Sequence, residues 1–592
     1  MKESLFQVDL TGVLKVLSDS LYSNWDVFLR ELLQNAHDAI ARRKQHEAFN
    51  PSIHLEFFEQ ADGRVLLMRD NGIGLTSDDM ETFLSKIGAS SKSDRYNLFD
   101  RNNEDFIGQF GIGLLSCFMV SEKIEVTSRA AAGSEVFKWT GRTNGTYQIE
   151  SIESDMETGT IVRLEIKPDI PLDESKIRQL LHRYADYLPL PVWFSINVGA
   201  QELFDRKFPW EAQGMTDQAL RFGKYALNDQ FQFHFPIQDR SGKTQGMAYV
   251  LPHQTHAGSS SRHTVYIKHM YVSNQTEKLL PDWAFFVRVV VNSQNLATTA
   301  SREEIYDNET LESVRHDLGE SIKGYLVKLS QEDPRALQEI LSIHGQALKS
   351  LALTDEGFFR FIVEWLVFPT SEGRLSLSEI LKRTDKLLYV PDLDEYRQLL
   401  PIAKANDQLI INAGYIYDTS IFEAYAHIGA GGKMIQRVNA QFFGSILQDP
   451  DIEVYDRYRP LIESLQAMLM EFEVELDLKQ FEPAELPAMC YMSQQNLQQR
   501  DLKQINDEAK DDWAGVTASL FDFSPTFRSQ LFLNLKNPIV QKLFEVKQIK
   551  KLEPHVQMIY FNTLMMSHYP LTAKELACMN ENLLTIIDQS LS

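Results

Sequence analysis

The chain has 592 residues, of which 43% are hydrophobic and 24% charged, with a net charge of −23; at roughly 100–200 residues per domain it needs about three or four domains, and the acidic balance excludes non-specific binding to nucleic acid or anionic lipid, both of which reward positive charge. Cys117, Cys490 and Cys578 are odd in number and far apart, which excludes a disulfide framework or a zinc site. No run of about 18 apolar residues marks a membrane span, and "MKESLFQVDLTG" lacks the apolar stretch of a signal peptide, so a cytoplasmic protein is expected.

From the N-terminus, helical patterns are predicted at 22–48, 78–87 and 111–120. Between and after them stand runs rich in β-branched and aromatic residues: "SIHLEFFE", "RVLLMRD", "KIEVTSR", "EVFKWT" and "GTIVRLEIK". That alternation predicts a two-layer α/β sandwich over the first domain, 1–200. A second domain, 201–470, opens with the strand-like runs "FQFHFPIQD", "GMAYVLP" and "HTVYIKHMYVS", and continues with helices alternating with short strands such as "KLLYVP" and "QLIINAG". A third, 471–592, is a small α+β region ending in two helical patterns, one with Val556, Ile559, Tyr560 and Leu564, the other with Leu576, Met579, Leu583 and Ile586. With no long segment after them, these stripes are expected to be exposed and to pair with a second copy. "RDLKQINDEAKDDW" reads as a solvated helix or loop, and Trp513, Val516, Leu520 and Phe521 as core or as an exposed contact.

Three motifs in the first domain carry chemistry. In "DVFLRELLQNAHDAIARRK", Glu31, Asn35 and Asp38 fall on one side of an amphipathic helix whose apolar stripe is Leu29, Leu32, Leu33, Ala36 and Ile40. In "LLMRDNGIGLT" a strand ends at Asp70, and the Gly72–Gly74 turn lets backbone pass close to a flat or charged group. In "FIGQFGIGLLSCFMV", Gly108, Gly111 and Gly113 open a helix, an arrangement suited to phosphate. The spacing is neither a P-loop nor a dinucleotide fingerprint, since no Lys-Ser or Lys-Thr follows and the pattern is G-x-x-G-x-G. Each motif alone has a plain structural reading: a solvated face, a common turn, a glycine-rich helix start.

Together, in this order and with "ETGTIVRLEI" closing the sheet, they resemble the ATP-binding fold shared by gyrase, the ninety-kilodalton heat-shock chaperones, histidine kinases and the mismatch-repair ATPase. The chaperone family is the nearest in pattern. "FQVDLTGVLKVLSDSLYSNWDVFLRELLQNAHDAI" and "IGQFGIGLLSCFMVSEKIEVTSR" look like its first domain, residues 265–305 like its middle-domain signature, and "LFLNLKNPIVQKL" with the closing helices like its dimerisation domain. The resemblance implies ATP and Mg²⁺ as ligands. By it, Glu31 is the general base, Asn35 orients the phosphate-bound Mg²⁺, Asp70 accepts from the adenine amino group, and Asp38 and Thr160 support that wall. Gly72 and Gly74 shape the turn, Gly108, Gly111, Ile112 and Gly113 line the phosphates, and Lys92 sits near them at the start of a lid over about 76–110. Arg302 matches the arginine that reaches the γ-phosphate; its plain alternative is a surface residue paired with Glu303 or Glu304.

The implied function is a stress-response chaperone, a homodimeric clamp joined at the C-terminal helices that binds partly folded client proteins. The alternative is a scaffold of the same fold with little turnover. A gyrase-type or mismatch-repair enzyme is opposed by the acidic balance and by the later domains. The chain departs from the family pattern at Thr299, Tyr306 and Asp94, which bears on lid closure and hydrolysis rate more than on nucleotide binding. Without the charged linker and acidic tail of eukaryotic members, a bacterial type is expected.

Overall fold

Helix α1, Val27–Lys44, buries Phe28, Leu29, Leu32, Leu33, Ala36 and Ile40 because apolar residues recur at spacings of three and four. Arg42, Arg43 and Lys44 in its last turn complement the helix dipole. The computed structural model describes residues 24–60, 63–85, 113–197, 199–211, 216–256, 261–299, 301–428, 432–439, 442, 444, 447–492, 529–546, 548–567 and 569–591. The chain is mixed α and β and forms two compact units, Met1–Leu337 and Gln338–Ser592. Lys92, Gly108, Gly111, Ile112, most of the expected lid, the 500–513 stretch and Trp513, Val516, Leu520 and Phe521 lie outside the described residues.

In the first unit, α1 packs on a sheet that has eight strands among the described residues. They are β1 (Ile53–Gln60), β2 (Gly63–Asp70), β3 (Ser121–Arg129), β4 (Val136–Arg142), β5 (Tyr147–Ile152), β6 (Gly159–Ile166), β7 (Val192–Ile196) and β8 (Glu202–Phe204), in the order β5-β4-β3-β6-β2-β1-β7-β8. Every pairing is antiparallel except β1 with β7. Helix α2, Glu174–Tyr184, capped by Asp173 accepting from Lys176 N, buries Ile177, Leu180 and Leu181 in the same core. Away from that core, Lys123, Lys138 and Arg163 converge on Glu125, and these partners hold its carboxyl down at about 2 against the opposing effect of burial. One covered face and one charged face make the expected two-layer sandwich.

The register sets the site. Asp70, at the end of β2, pairs with Ile53 on one side and Thr160 on the other. The two helical patterns that flank the glycine-rich motif are not ordinary α-helices. Residues 77–79 form one turn under a Thr76/Asp79 capping box, followed by a π-turn at Met80–Leu84. Gly113–Met119 is a 3₁₀ helix, tightened by Ser116 Oγ donating back to Gly113 O at 2.6 Å.

The rest of this unit holds a second sheet of β9 (His234–Gln238), β10 (Thr244–Val250), β11 (His263–Ile267), β12 (Met270–Thr276) and β13 (Val287–Ser293), ordered β12-β11-β13-β10-β9. It packs with helix α3, Thr216–Leu227, around Tyr187, Phe208, Phe222, Tyr249 and Tyr266. The run 263–273 is a hairpin rather than one strand: Lys268 and His269 both take left-handed backbone, φ 50° and 68°, and reverse the chain. After β13 the chain makes an irregular loop and enters helix α4, Glu309–Glu332, capped by Asn308.

The second unit contains β14 (Val367–Thr370), β15 (Gly373–Ser376), β16 (Lys386–Val390), β17 (Ile410–Asn412) and β18 (Met434–Arg437), ordered β15-β14-β17-β16-β18. A further sheet, β19 (Val474–Lys479), β20 (Ala488–Tyr491) and β21 (Ser529–Asn534), has β21 in the middle. Helices α5 (Ile452–Leu469), α6 (Glu553–Met566) and α7 (Ala573–Leu591) complete its core. Val556, Ile559 and Leu564 are buried in that core and expose no stripe, which corrects the expectation for the first closing helix. α6 is apolar on all sides, so β20, α5 and α7 cover it. Of the two closing helices, α6 exposes only Met565 and Met566 at its end among its large apolar side chains, whereas α7 exposes Leu576, Leu583, Leu584, Ile587 and Leu591, with Ile586 half-exposed. Its inner face is held by Glu575 accepting from Tyr560 and by Asn582 donating to Gln557 Oε1 at 2.8 Å.

Candidate functional site

One end of the site is built where β2 stops. The Asp70 carboxylate is 6% exposed and its Oδ1 accepts from Gly72 N at 2.8 Å. Burial pushes its pKa up to about 7 from the usual carboxylate range, against the lowering effect of the Gly72 bond. The turn after it has no room for side chains. A Cβ on Gly72 would stand 2.6 Å from Ala39 on α1, and Gly74, at φ +72°, would put one 2.0 Å from Arg129 O. Ile73 N donates to Ala39 O, and Ala131 N to Ile73 O, so the turn is clamped between α1 and β3. A Cβ on Gly159 would meet Asp70 O at 2.1 Å.

Thr160 is brought beside this turn through Ser128, a buried hydroxyl that sequence reasoning missed. Ser128 Oγ lies 2.9 Å from Thr160 Oγ1, donates to Gly159 O at 2.8 Å and accepts from Leu75 N at 2.8 Å. On α1, Glu31 is buried, Asp38 half-buried with His37 Nδ1 3.3 Å away, and Asn35 exposed.

The other end holds Glu31. Its Oε1 accepts from Arg30 Nε and Nη2 at 3.3 and 3.1 Å, and its Oε2 from Arg302 Nη1 at 2.7 Å. Arg302 also donates to Gln34 Oε1. The alternative pairing with Glu303 or Glu304 is therefore not the one the side chain makes. Backbone hydrogen bonds fold the described part of the loop carrying Arg302: Arg302 N donates to Thr299 O, Thr299 N to Glu304 O and Tyr306 N to Ala297 O. This folds Arg302 into left-handed backbone at φ +56°, uncommon for a side chain of this size. Arg30 fixes the loop from the other side, with Nη2 donating to Ser301 O at 2.8 Å and Nη1 to Arg302 O at 3.3 Å. Tyr306 is 57% exposed. A Cβ on Gly113 would lie 2.5 Å from Glu31 Oε2, so glycine there leaves room for the carboxylate. Burial first, then the Glu31 charge, push the Cys117 thiol up, which leaves it inert.

Sequence reasoning missed Arg30 and Gln34 as well as Ser128. The signal was available for two of them: a cation and an amide at positions of α1 that a solvated face would not bury.

Comparison with known proteins covers the segments that carry these residues. A family model described as "Histidine kinase-, DNA gyrase B-, and HSP90-like ATPase" matches residues 22–162, which carry the Asp70 turn and Glu31. A second, "Hsp90 protein", matches residues 251–387, which carry the Arg302 loop. Two separate segments of the chain thus match models of the Hsp90-like ATPase domain and of the Hsp90 protein. Similar curated proteins are each named "Chaperone protein HtpG". That of Mycobacterium avium (strain 104) is 28% identical over 401 residues, 59% of this chain and 62% of that protein. That of Chromobacterium violaceum is 25% identical over 539 residues, 79% of this chain and 82% of that protein. That of Rickettsia rickettsii (strain Sheila Smith) is 27% identical over 371 residues, 58% of this chain and 59% of that protein. The chain thus aligns with about three-fifths of the length of the first of these proteins. Among the described residues no helix is long and apolar enough to cross a membrane, and no group of three or more His, Cys, Asp or Glu side chains forms a metal cage.

Proposed function

We propose that the protein is an ATP-dependent molecular chaperone, a homodimeric clamp that binds partly folded client proteins and cycles by binding and hydrolysing ATP. The observation that carries this reading is the meeting of Glu31 and Arg302 at 2.7 Å. A carboxylate able to take a proton and a guanidinium able to neutralise phosphate converge on one spot, 271 residues apart in sequence.

Asp70 accepts from the adenine amino group, with Thr160, Ser128 and Asp38 completing that wall. Gly72 and Gly74 give the base its flat approach. Gly113, with Gly108, Gly111, Ile112 and Lys92, lines the phosphates. The side chains suit this ligand: a buried carboxylate at one end, and at the other a glycine whose Cβ would crowd Glu31. Mg²⁺, held by the phosphates and Asn35, neutralises phosphate charge when bound. In hydrolysis the water oxygen bonds to the γ-phosphorus, the bond to the β–γ bridging oxygen breaks, and Glu31 takes the water proton. Arg302 stabilises the charge on the transferred group, and Arg30 keeps Glu31 and the Arg302 loop in register.

The proposed regions are 1–200 for ATP, 201–470 for the arginine loop and client contacts, and 471–592 for dimerisation. Leu576, Leu583, Leu584, Ile587 and Leu591 on α7 support a twofold contact, because a stripe of this kind buries itself against its own copy. The protein works in the cytoplasm. ATP drives the cycle by binding the closed clamp more tightly than the open one.

The test is a steady-state ATPase assay on the full chain with Glu31→Ala as background, followed by truncation before about residue 475. Turnover above background in a dimer, with a monomeric and weakly active truncation, is expected. Turnover no higher than the Glu31→Ala background overturns the reading and leaves a nucleotide-binding scaffold.

A further inference from the structure

Gln34 has no role in the steps above, yet it touches the reacting groups. It lies three residues after Glu31 on α1 and is 1% exposed. Its Oε1 accepts from Arg302 Nη1, the same nitrogen that donates to Glu31 Oε2. A guanidinium only donates, so the amide oxygen is the atom that faces it. That orientation commits Nε2, which is buried and has no hydrogen-bond partner among the described residues. Buried amide donors left in this way are rare.

Within an amide the oxygen and nitrogen are about 2.2 Å apart. Nε2 therefore lies beside the tip of Arg302, and an oxygen bound by that tip comes within its reach. The partner suited to this donor is an anionic oxygen. Next to a guanidinium, a neutral N–H adds a second hydrogen bond without adding charge, and three oxygens on one phosphorus can satisfy both donors at once.

We propose that Gln34 is a γ-phosphate contact of this chain: Nε2 donates to a non-bridging γ-oxygen while Oε1 steadies Arg302. This rests on the reading of the site as one that hydrolyses ATP. Gln34 forms and breaks no covalent bond. Its donor is satisfied by a nucleoside triphosphate and left unsatisfied by a diphosphate, so it biases the site toward ATP over ADP.

The experiment uses the full-length protein, with calorimetry against ADP and against a non-hydrolysable ATP analogue, and single-turnover hydrolysis of ATP. Gln34→Met removes both polar atoms at similar length. Gln34→Glu keeps the acceptor for Arg302 and removes the donor. Both variants are expected to bind ADP within about twofold of wild type. Affinity for the analogue is expected to fall about ten- to a hundredfold, the range for a hydrogen bond to a charged group, with a slower single turnover. Equal losses for ADP and the analogue would mean that Gln34 only supports the pocket wall and overturn the proposal. So would analogue affinity and turnover unchanged in Gln34→Glu, which also decides the matter if Gln34→Met does not fold. Wild-type protein that binds no ATP overturns this proposal and the ATPase reading together, whereas wild-type turnover matched by both variants overturns this one alone.

Discussion

Replacing Asp70 by asparagine is expected to stabilise the ATP-binding region and to abolish ATP binding. A carboxyl that ordinarily titrates near 3.8 is held at about 7 by burial. A raised carboxyl favours the folded state only while protonated. The penalty is absent below the unfolded pKa of 3.8, grows as pH rises toward about 7, and is complete above it. At pH 8 this costs about 4 kcal/mol, and at pH 5 about 2 kcal/mol. Asparagine removes the charge and keeps an oxygen to accept from Gly72 N, so the variant should gain most of those amounts. Urea-dependent hydrogen exchange, read by mass spectrometry on peptides covering β2 and β6, measures the difference at both pH values. Calorimetry on the same variant should detect no ATP binding, because an amide there can present a donor to the adenine amine. A variant less stable than wild type at pH 8, a gap that does not change with pH, or ATP affinity equal to wild type would refute the reasoning.

Glu31→Ala should bind ATP with near wild-type affinity and fail to hydrolyse it, as calorimetry and phosphate release on one preparation would register. Arg302→Ala should slow single turnover by at least about tenfold, below the roughly three to five powers of ten known for arginine fingers, with ADP affinity unchanged; an unaltered rate would reduce the Glu31 contact to a structural ion pair. Leu583→Asp with Ile587→Asp should give monomers in analytical ultracentrifugation, and a variant that sediments as wild type would remove α7 from the interface. In the second unit Lys349 Nζ meets Asp418 Oδ1 at 2.6 Å with both side chains buried. Lys349→Ala should cost about 3–5 kcal/mol, since it leaves a buried charge without its counter-ion, and denaturation that matches wild type would contradict that.

Much of the fold was legible because local pattern and burial coincide. α1 announces itself by apolar residues at spacings of three and four, and β1, β2, β3, β4 and β6 by β-branched runs that end at Gly, Asp or Pro. β5 escaped because Tyr147–Ile152 is an exposed edge strand with no apolar alternation. The β11–β12 hairpin escaped because Lys268 and His269 take left-handed backbone without glycine or asparagine to signal it. α6 misled because a helix apolar on all sides looks the same from sequence whether it faces a partner or its own core. In the site, the motifs mark Glu31 and Asp70 one at a time. They carry no information on the meeting of Glu31 with Arg302, or on Ser128 as the hydroxyl that ties Thr160 to the turn, since those depend on strand register and on packing between distant segments.

The Arg30 contacts with Ser301 O and Arg302 O span 271 and 272 residues. During synthesis at about 5–20 residues per second, α1 leaves the ribosome roughly 15–50 s before the loop it must grip. For that interval the sheet can close around α1, but Glu31 has Arg30 as its only cationic partner among the described residues. If the proposed site roles hold, a nascent chain would have the Asp70 end of the pocket before it has Arg302. On the proposed reading, full-rate hydrolysis then waits until more than half of the protein exists, because of where one arginine stands in the sequence.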